Sequence, residues 1–231
     1  MKRLRVKPYP DESPRWPEQG RAILAQYDAE TVVVYQAYSR AIGCWAAQHG
    51  RLGGPGFSQD RMSWLKTSFL WLMHRSAWGT APGQEAVLAL WLRRDAFDSL
   101  LTQAVHSRCV ERVYPSRAAW QAAVAASDVL VQWDPDYPPH GPKLRRRAIQ
   151  LGLRGEALRR LTDEWTVQVE DISGFVRQQA GYARRPEMLF VPAQRIYPVR
   201  DPDVARRLGL DKSATDEETS AGGRNPPETY P

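Results

Sequence analysis

The chain has 231 residues, of which 42% are apolar, 25% charged and 10% aromatic, and its formal net charge at neutral pH is +6. That is length for one large domain or two small ones, with enough apolar material for a core. No run approaches the ~18 consecutive apolar residues of a membrane span, the basic start leads into prolines rather than a secretory apolar stretch, and two cysteines, Cys44 and Cys109, exclude a disulfide framework or zinc site and fit a reducing cytosol.

Residues 1–20 place Pro8, Pro10, Pro14 and Pro17 among charges and read as an extended arm. Residues 21–27 suit a strand, and the β-branched and aromatic stretch 32–35 a second one. Ser39 then caps a helix running to His49, closed by Gly50; a single helix over 29–49 is the competing pattern. Glycines 53, 54 and 56 break the chain. Residues 68–78 read as an apolar helix, 86–92 as a buried strand, and Asp95 as the cap of a helix to about His106. A further alanine-rich helix covers 117–126, and a strand over 128–133 ends in a proline-rich turn at 134–139. Alternation over 147–153 marks a half-buried strand, followed by a helix (155–165), a strand (166–172), a short helix capped by Ser173, and an extended segment (188–199). With no linker or internal repeat, the pattern is α+β: a single domain over 21–205, with a mixed, mostly antiparallel sheet flanked by helices. Residues 206–231 form a disordered tail, almost without apolar residues from 211 onward.

The charge is local. Between His140 and Arg160 seven cations (Lys143, Arg145, Arg146, Arg147, Arg154, Arg159, Arg160) face only Glu156, an excess equal to the net charge of the whole chain. Such a stretch suits phosphate-bearing ligands or nucleic acid, or else a solvated helix face. The 27 arginines against 5 lysines are read as a compositional bias of the genome; their placement says more than their number.

The densest chemistry lies at 61–78. In a helix from Ser68, Trp71, His74, Arg75 and Trp78 share a face, with Arg61 and Lys66 flanking Trp64 just upstream. Guanidinium beside indole suits a nucleobase or an anion; aromatic residues at this spacing equally suit a core, although the embedded cations would then need partners. Candidate carboxylates are Glu85, before a strand, and Asp134 and Asp136, two residues apart and on one side if extended, with turn formation at Asp-Pro as the other reading. Residues 147–156 run from strand through glycines into a helix N-terminus, a modest anion-binding geometry without a Walker lysine. The four histidines show no ligand spacing.

The strings Arg21-Ala22, Val34-Tyr35-Gln36-Ala37-Tyr38, Arg61-Met62-Ser63-Trp64-Leu65-Lys66 through Trp78, Gln84-Glu85, Gln132-Trp133-Asp134-Pro135-Asp136 and the run from Arg147 through Gln150 to Gly155 resemble the domain-of-unknown-function 4291 family over about residues 20–200. Thr67 and Tyr137 stand where that family usually has proline and histidine. The resemblance implies a set of polar positions rather than a reaction. Taken with the residues themselves, it gives a site for a phosphorylated small molecule or nucleic acid in which Arg21, Tyr35, Arg61, Trp64, Lys66, Arg75, Arg147 and Gln150 bind ligand. Glu85, Asp134 and Asp136 are the catalytic candidates. The order of elements resembles ADP-ribosyltransferase-like folds, an analogy of fold alone, which makes a nucleotide- or NAD-dependent transferase one reading. A non-catalytic nucleic-acid-binding module using 143–160 is the other.

Overall fold

The computed structural model describes residues 2–211. In chain order the first half holds β1 (Val6–Pro8), α1 (Tyr9–Glu12), β2 (Gln19–Arg21), β3 (Leu24–Ala25), β4 (Thr31–Tyr38), α2 (Arg40–His49), β5 (Ser63–Lys66), α3 (Phe69–Arg75), β6 (Ala86–Arg93) and α4 (Arg94–Gln103). The second half holds β7 (Val105–His106), α5 (Arg117–Ala126), β8 (Val129–Pro135), β9 (Arg145–Leu153), α6 (Gly155–Arg160), β10 (Thr166–Asp171), α7 (Ser173–Ala180), β11 (Phe190–Pro192), β12 (Arg195–Ile196) and α8 (Pro202–Leu208).

The main sheet has eight strands in the order β10-β6-β4-β5-β9-β8-β7, with β2 pairing the start of β9. Pairing is antiparallel except for β7 with β8 and β2 with β9. It is thus the mixed, mostly antiparallel sheet of a single α+β domain. Strands β1 with β11, and β3 with β12, form two small accessory pairs.

Both faces of the sheet are covered, which is why β4 and β6 read as nearly continuous apolar runs. Successive side chains point to opposite faces. Val32 and Val34 of β4, with Leu88, Leu90 and Leu92 of β6, join the α4 residues Phe97, Leu100 and Leu101 in one core. Val33, Tyr35, Val87, Ala89 and Trp91 join Phe69, Leu72 and Met73 of α3 and Val176 of α7 in the other.

Helix α2 starts after Ser39 and ends at a left-handed Gly50, so the competing single helix over 29–49 does not form: residues 31–38 bury their β-branched side chains in the sheet. Several segments differ from the sequence expectation. Residues 9–15 are helical rather than part of an extended arm; Pro10 sits in the first turn of α1, where its missing N–H is no loss, and the indole of Trp16 is buried and donates to the Gln194 carbonyl at 2.9 Å. The strand expected over 21–27 is divided between β2 and β3. Residues 63–66, unassigned in the sequence, form β5. Helix α4 stops at Gln103, because Val105 and His106 pair with β8, and Asp95 lies in its first turn rather than at its cap. The expected tail from 206 begins inside α8; residues 212–231 lie outside the described ones. No described helix is long and apolar enough to cross a membrane.

Candidate functional site

Register across three strands creates a polar row. Lys66 of β5 pairs with Gln150 of β9, and Gln150 with Gln132 of β8, so all three side chains stand on the face covered by α3. Asp134, two residues beyond Gln132, stands on the same face. Gln132 Nε2 donates to its Oδ1 at 2.8 Å and Gln150 Nε2 to its Oδ2 at 2.6 Å, which fixes the carboxylate while leaving it able to accept further bonds.

Helix α3 forms one wall. Its N-cap Ser68 accepts from the Trp71 N–H at 3.3 Å and donates to Asp136 Oδ1 at 3.1 Å. One turn on, Trp71, His74 and Arg75 hang over the polar row, and the His74 ring stacks on Tyr137 with centroids 3.3 Å apart. The opposite wall arises because β4 and β5 share a single ladder pair, Tyr35 with Lys66. Beyond it the strands are bridged by side chains, with Gln36 Nε2 donating to Ser63 Oγ at 2.9 Å and the Tyr38 hydroxyl 2.6 Å from the same oxygen. Burial pushes the Tyr38 phenol up to about 12, so it stays neutral. Between the walls lies an open cleft of about 890 Å³.

Of the residues singled out in the sequence, Arg61, Trp64, Lys66, Arg75, Asp134 and Gln150 line this cleft together. Lys66 is its most perturbed group. Burial first, then the nearby Arg75 charge, pull its ammonium down to about 7, against the opposing attraction of Asp134. Its Nζ donates to the Trp64 carbonyl at 2.7 Å and lies 5.8 Å from the Trp71 ring. His74 is also lowered, by partial burial and by Arg75.

The other expected residues sit elsewhere. Glu85 is beside the rim residues Gly83 and Gln84 but outside the cleft; its Oε1 accepts from the Gly83 N–H at 2.8 Å, which holds the carboxyl below its usual range. Asp136 is 1% exposed, covered by the start of α3 and paired with Arg146 at 2.6 Å. Tyr35 is fully buried against Phe69, its hydroxyl pushed upward by desolvation. Trp78 leaves the α3 face: the helix ends at Arg75, Ala77 and Trp78 take positive φ (49° and 56°), and the Trp78 indole packs on Phe69. Arg21 and Arg147 stand on the far side of the sheet.

The basic stretch does not form one surface. Arg146 is buried; Arg154 donates to the carbonyls of Val124 and Ser127; Arg159 pairs with Glu156 and Arg160 with Glu164. The anion-binding turn expected at 147–156 is filled by the chain itself, since Asp128 Oδ2 accepts from the Glu156 N–H at 2.9 Å. Sequence reasoning passed over Gln36, Tyr38, Ser63 and Gln132 as site residues. The available signal was Gln36, an amide inside the apolar run of β4, which has to find a partner once buried.

The profile of the family described as Domain of unknown function (DUF4291) matches residues 22–197. The chain belongs to that family. The whole cleft, from Gln36 to Gln150, lies inside the DUF4291 region, whereas α1, Trp16 and α8 pack onto it from outside. Comparison with curated proteins finds no significant match to this DUF4291 chain. Among its described residues, no group of three or more His, Cys, Asp or Glu side chains is placed to hold a metal ion.

Proposed function

We propose that the cleft is the active site of a cytosolic enzyme that binds a nucleotide and transfers a group from it, in the manner of a nucleotide- or NAD-dependent transferase. The observation that carries this reading is the convergence of Arg61, Lys66 and Arg75 with Trp64 and Trp71 around one fixed carboxylate, Asp134. Arg61 and Arg75 offer guanidinium forks to phosphate oxygens. Lys66, which gives up its proton near pH 7 in the empty cleft, regains it when a phosphate enters. The indoles supply a stacking surface for a base. Asp134, held open by two amide donors, receives a proton from an acceptor hydroxyl of the second substrate. Glu85, outside the cleft beside Gln84, would meet a ribose that extends past the rim.

A thermal-shift series with NAD, ATP, GTP and a short RNA tests the reading. A nucleotide at millimolar concentration raises Tm in the native protein, and by less in Arg75→Gln. If all four leave Tm unmoved, the cleft is not a nucleotide site. A shift by RNA alone, abolished by Lys143→Ala with Arg145→Ala, favours a nucleic-acid-binding module instead.

A further inference from the structure

A second cationic cluster lies on the opposite face of β8 and β9 from the cleft. Arg21 and Arg147 are direct partners where β2 runs parallel to β9, so two guanidinium groups project side by side, an unfavourable juxtaposition by itself. Arg112, from the loop between β7 and α5, joins them. A Cβ placed on Gly209 would stand 1.9 Å from Arg112 Nη2 and 2.7 Å from Arg21 Nη1, so both guanidinium groups close on the same glycine. Trp133 backs the group, with the Arg21 guanidinium 5.7 Å from its ring.

Behind the arginines is His106, 4% exposed, whose Nε2 has no hydrogen-bond partner among the described residues. The Tyr114 hydroxyl accepts from the His106 backbone N–H at 2.9 Å and lies 3.1 Å from Nδ1. In the tautomer in which this hydroxyl donates to Nδ1, Nε2 carries the ring hydrogen and is a donor without a partner among the described residues. Burial, then the charges of Arg207, Arg21 and Arg112, keep this imidazole neutral down to about pH 4. None of the ion pairs among the described residues includes Arg21, Arg112 or Arg147. The acidic side chain nearest in the hydrogen bonding is Asp211, whose Oδ2 accepts from the Arg21 backbone N–H at 3.2 Å. Arg207 is engaged by the carbonyls of Leu101, Thr102 and Ala104.

We propose that Arg21, Arg112 and Arg147, with the Nε2–H of His106 behind them, form a second binding site for a phosphate group, separate from the cleft. Guanidinium forks match the oxygens of a phosphoryl group, and a bound dianion offsets the repulsion that Arg112 and Arg147 exert on the half-buried Arg21, whose Nη1 also donates to the Leu208 carbonyl at 3.4 Å. The ligand is a phosphorylated small molecule, with the terminal phosphate of a nucleic acid as the other source of the same chemistry.

The test uses the full chain carrying Arg61→Gln and Arg75→Gln, so that the outcome does not depend on the cleft. Inorganic pyrophosphate is titrated into it calorimetrically, and the His106 ring is followed by NMR. Saturable binding with an upward move of the His106 titration midpoint is expected. Adding Arg112→Gln and Arg147→Gln, both exposed side chains, weakens binding about tenfold or more, the worth of a lost charge-assisted hydrogen bond. A short 5′-phosphorylated RNA run in parallel assigns the source: binding that needs the 5′-phosphate points to nucleic-acid ends, and binding of pyrophosphate alone to a small molecule. No binding of either at millimolar concentration, or binding indifferent to Arg112 and Arg147, overturns the proposal.

Discussion

Asp136 Oδ2 accepts from Arg146 Nε at 2.6 Å in the interior beneath the cleft, while the other carboxylate oxygen accepts from Ser68, the N-cap of α3. The pair therefore ties β9 to the helix that carries Trp71, His74 and Arg75. Removing one partner of such a pair strands a buried charge, whereas an open carboxylate has water to replace its donors. Asp136→Ala should lose about 3–5 kcal/mol in urea unfolding at pH 7. Asp134→Asn should change stability by less than about 1 kcal/mol while abolishing the proposed turnover. Equal stability losses in the two variants would mean that Asp134 is as structural as Asp136.

The depressed ammonium of Lys66 gives stability a pH dependence of definite sign. Between about 7 and the ordinary value of 10.5 the unfolded chain holds a proton on this amine that the folded chain lacks. Stability contributed by this group therefore rises with pH across that window, and the penalty of the buried cation is fully present below it. Lys66→Met should be more stable than the native protein at pH 6, with the difference shrinking toward pH 10. Each tenfold change in proton affinity is worth about 1.4 kcal/mol. Urea midpoints at several pH values measure it, and a difference that is flat with pH refutes the assignment.

The frame was legible because it rests on local signals. The β-branched and apolar runs of β4 and β6, Ser39 and Gly50 around α2, and Ser68 before α3 each need only a few neighbouring residues. The cleft depends on register, which joins residues 16 to 84 positions apart: Lys66 meets Gln150, and Gln150 meets Asp134. Asp134 and Asp136 do lie on one side of the sheet, as a two-residue spacing requires, yet α3 covers the second and leaves the first open. Tyr35 and Lys66 are ladder partners, one sealed in the core and the other lining the cleft. A four-residue strand such as β5 is too short to show a period before α3 begins, so the sequence pattern merges the two.

Close packing of α2 on the sheet supplies a third test. A Cβ on Gly43 would stand 2.1 Å from the Cβ of Ala86 at the start of β6, so the glycine permits the contact. On helix propensity alone Gly43→Ala would gain about 1 kcal/mol. Overpacking against a strand that cannot move outweighs this, and the variant should lose about 1–3 kcal/mol. Pairing it with Ala86→Gly should restore most of the loss; a double variant no more stable than Gly43→Ala would place the strain elsewhere.

Proton uptake on ligand binding is the most direct check on Lys66 as a phosphate contact. In the free protein the amine is largely neutral above pH 7, and a phosphate dianion beside it raises its proton affinity. Binding of ATP at pH 8 should therefore take up a proton, and affinity should fall as pH rises from 7 to 9. Of the other ionisable groups, His74 starts out lowered by burial and by Arg75, and the terminal phosphate, with a second ionisation near 6, is fully charged at that pH. Calorimetry in buffers of different ionisation enthalpy reads the uptake directly. Lys66→Met should bind more weakly and abolish the uptake, while Lys143→Met, an exposed cation on the loop before β9, should keep both. Uptake that persists in Lys66→Met would remove Lys66 from the phosphate site, and affinity unchanged by pH would show that its proton plays no part in binding.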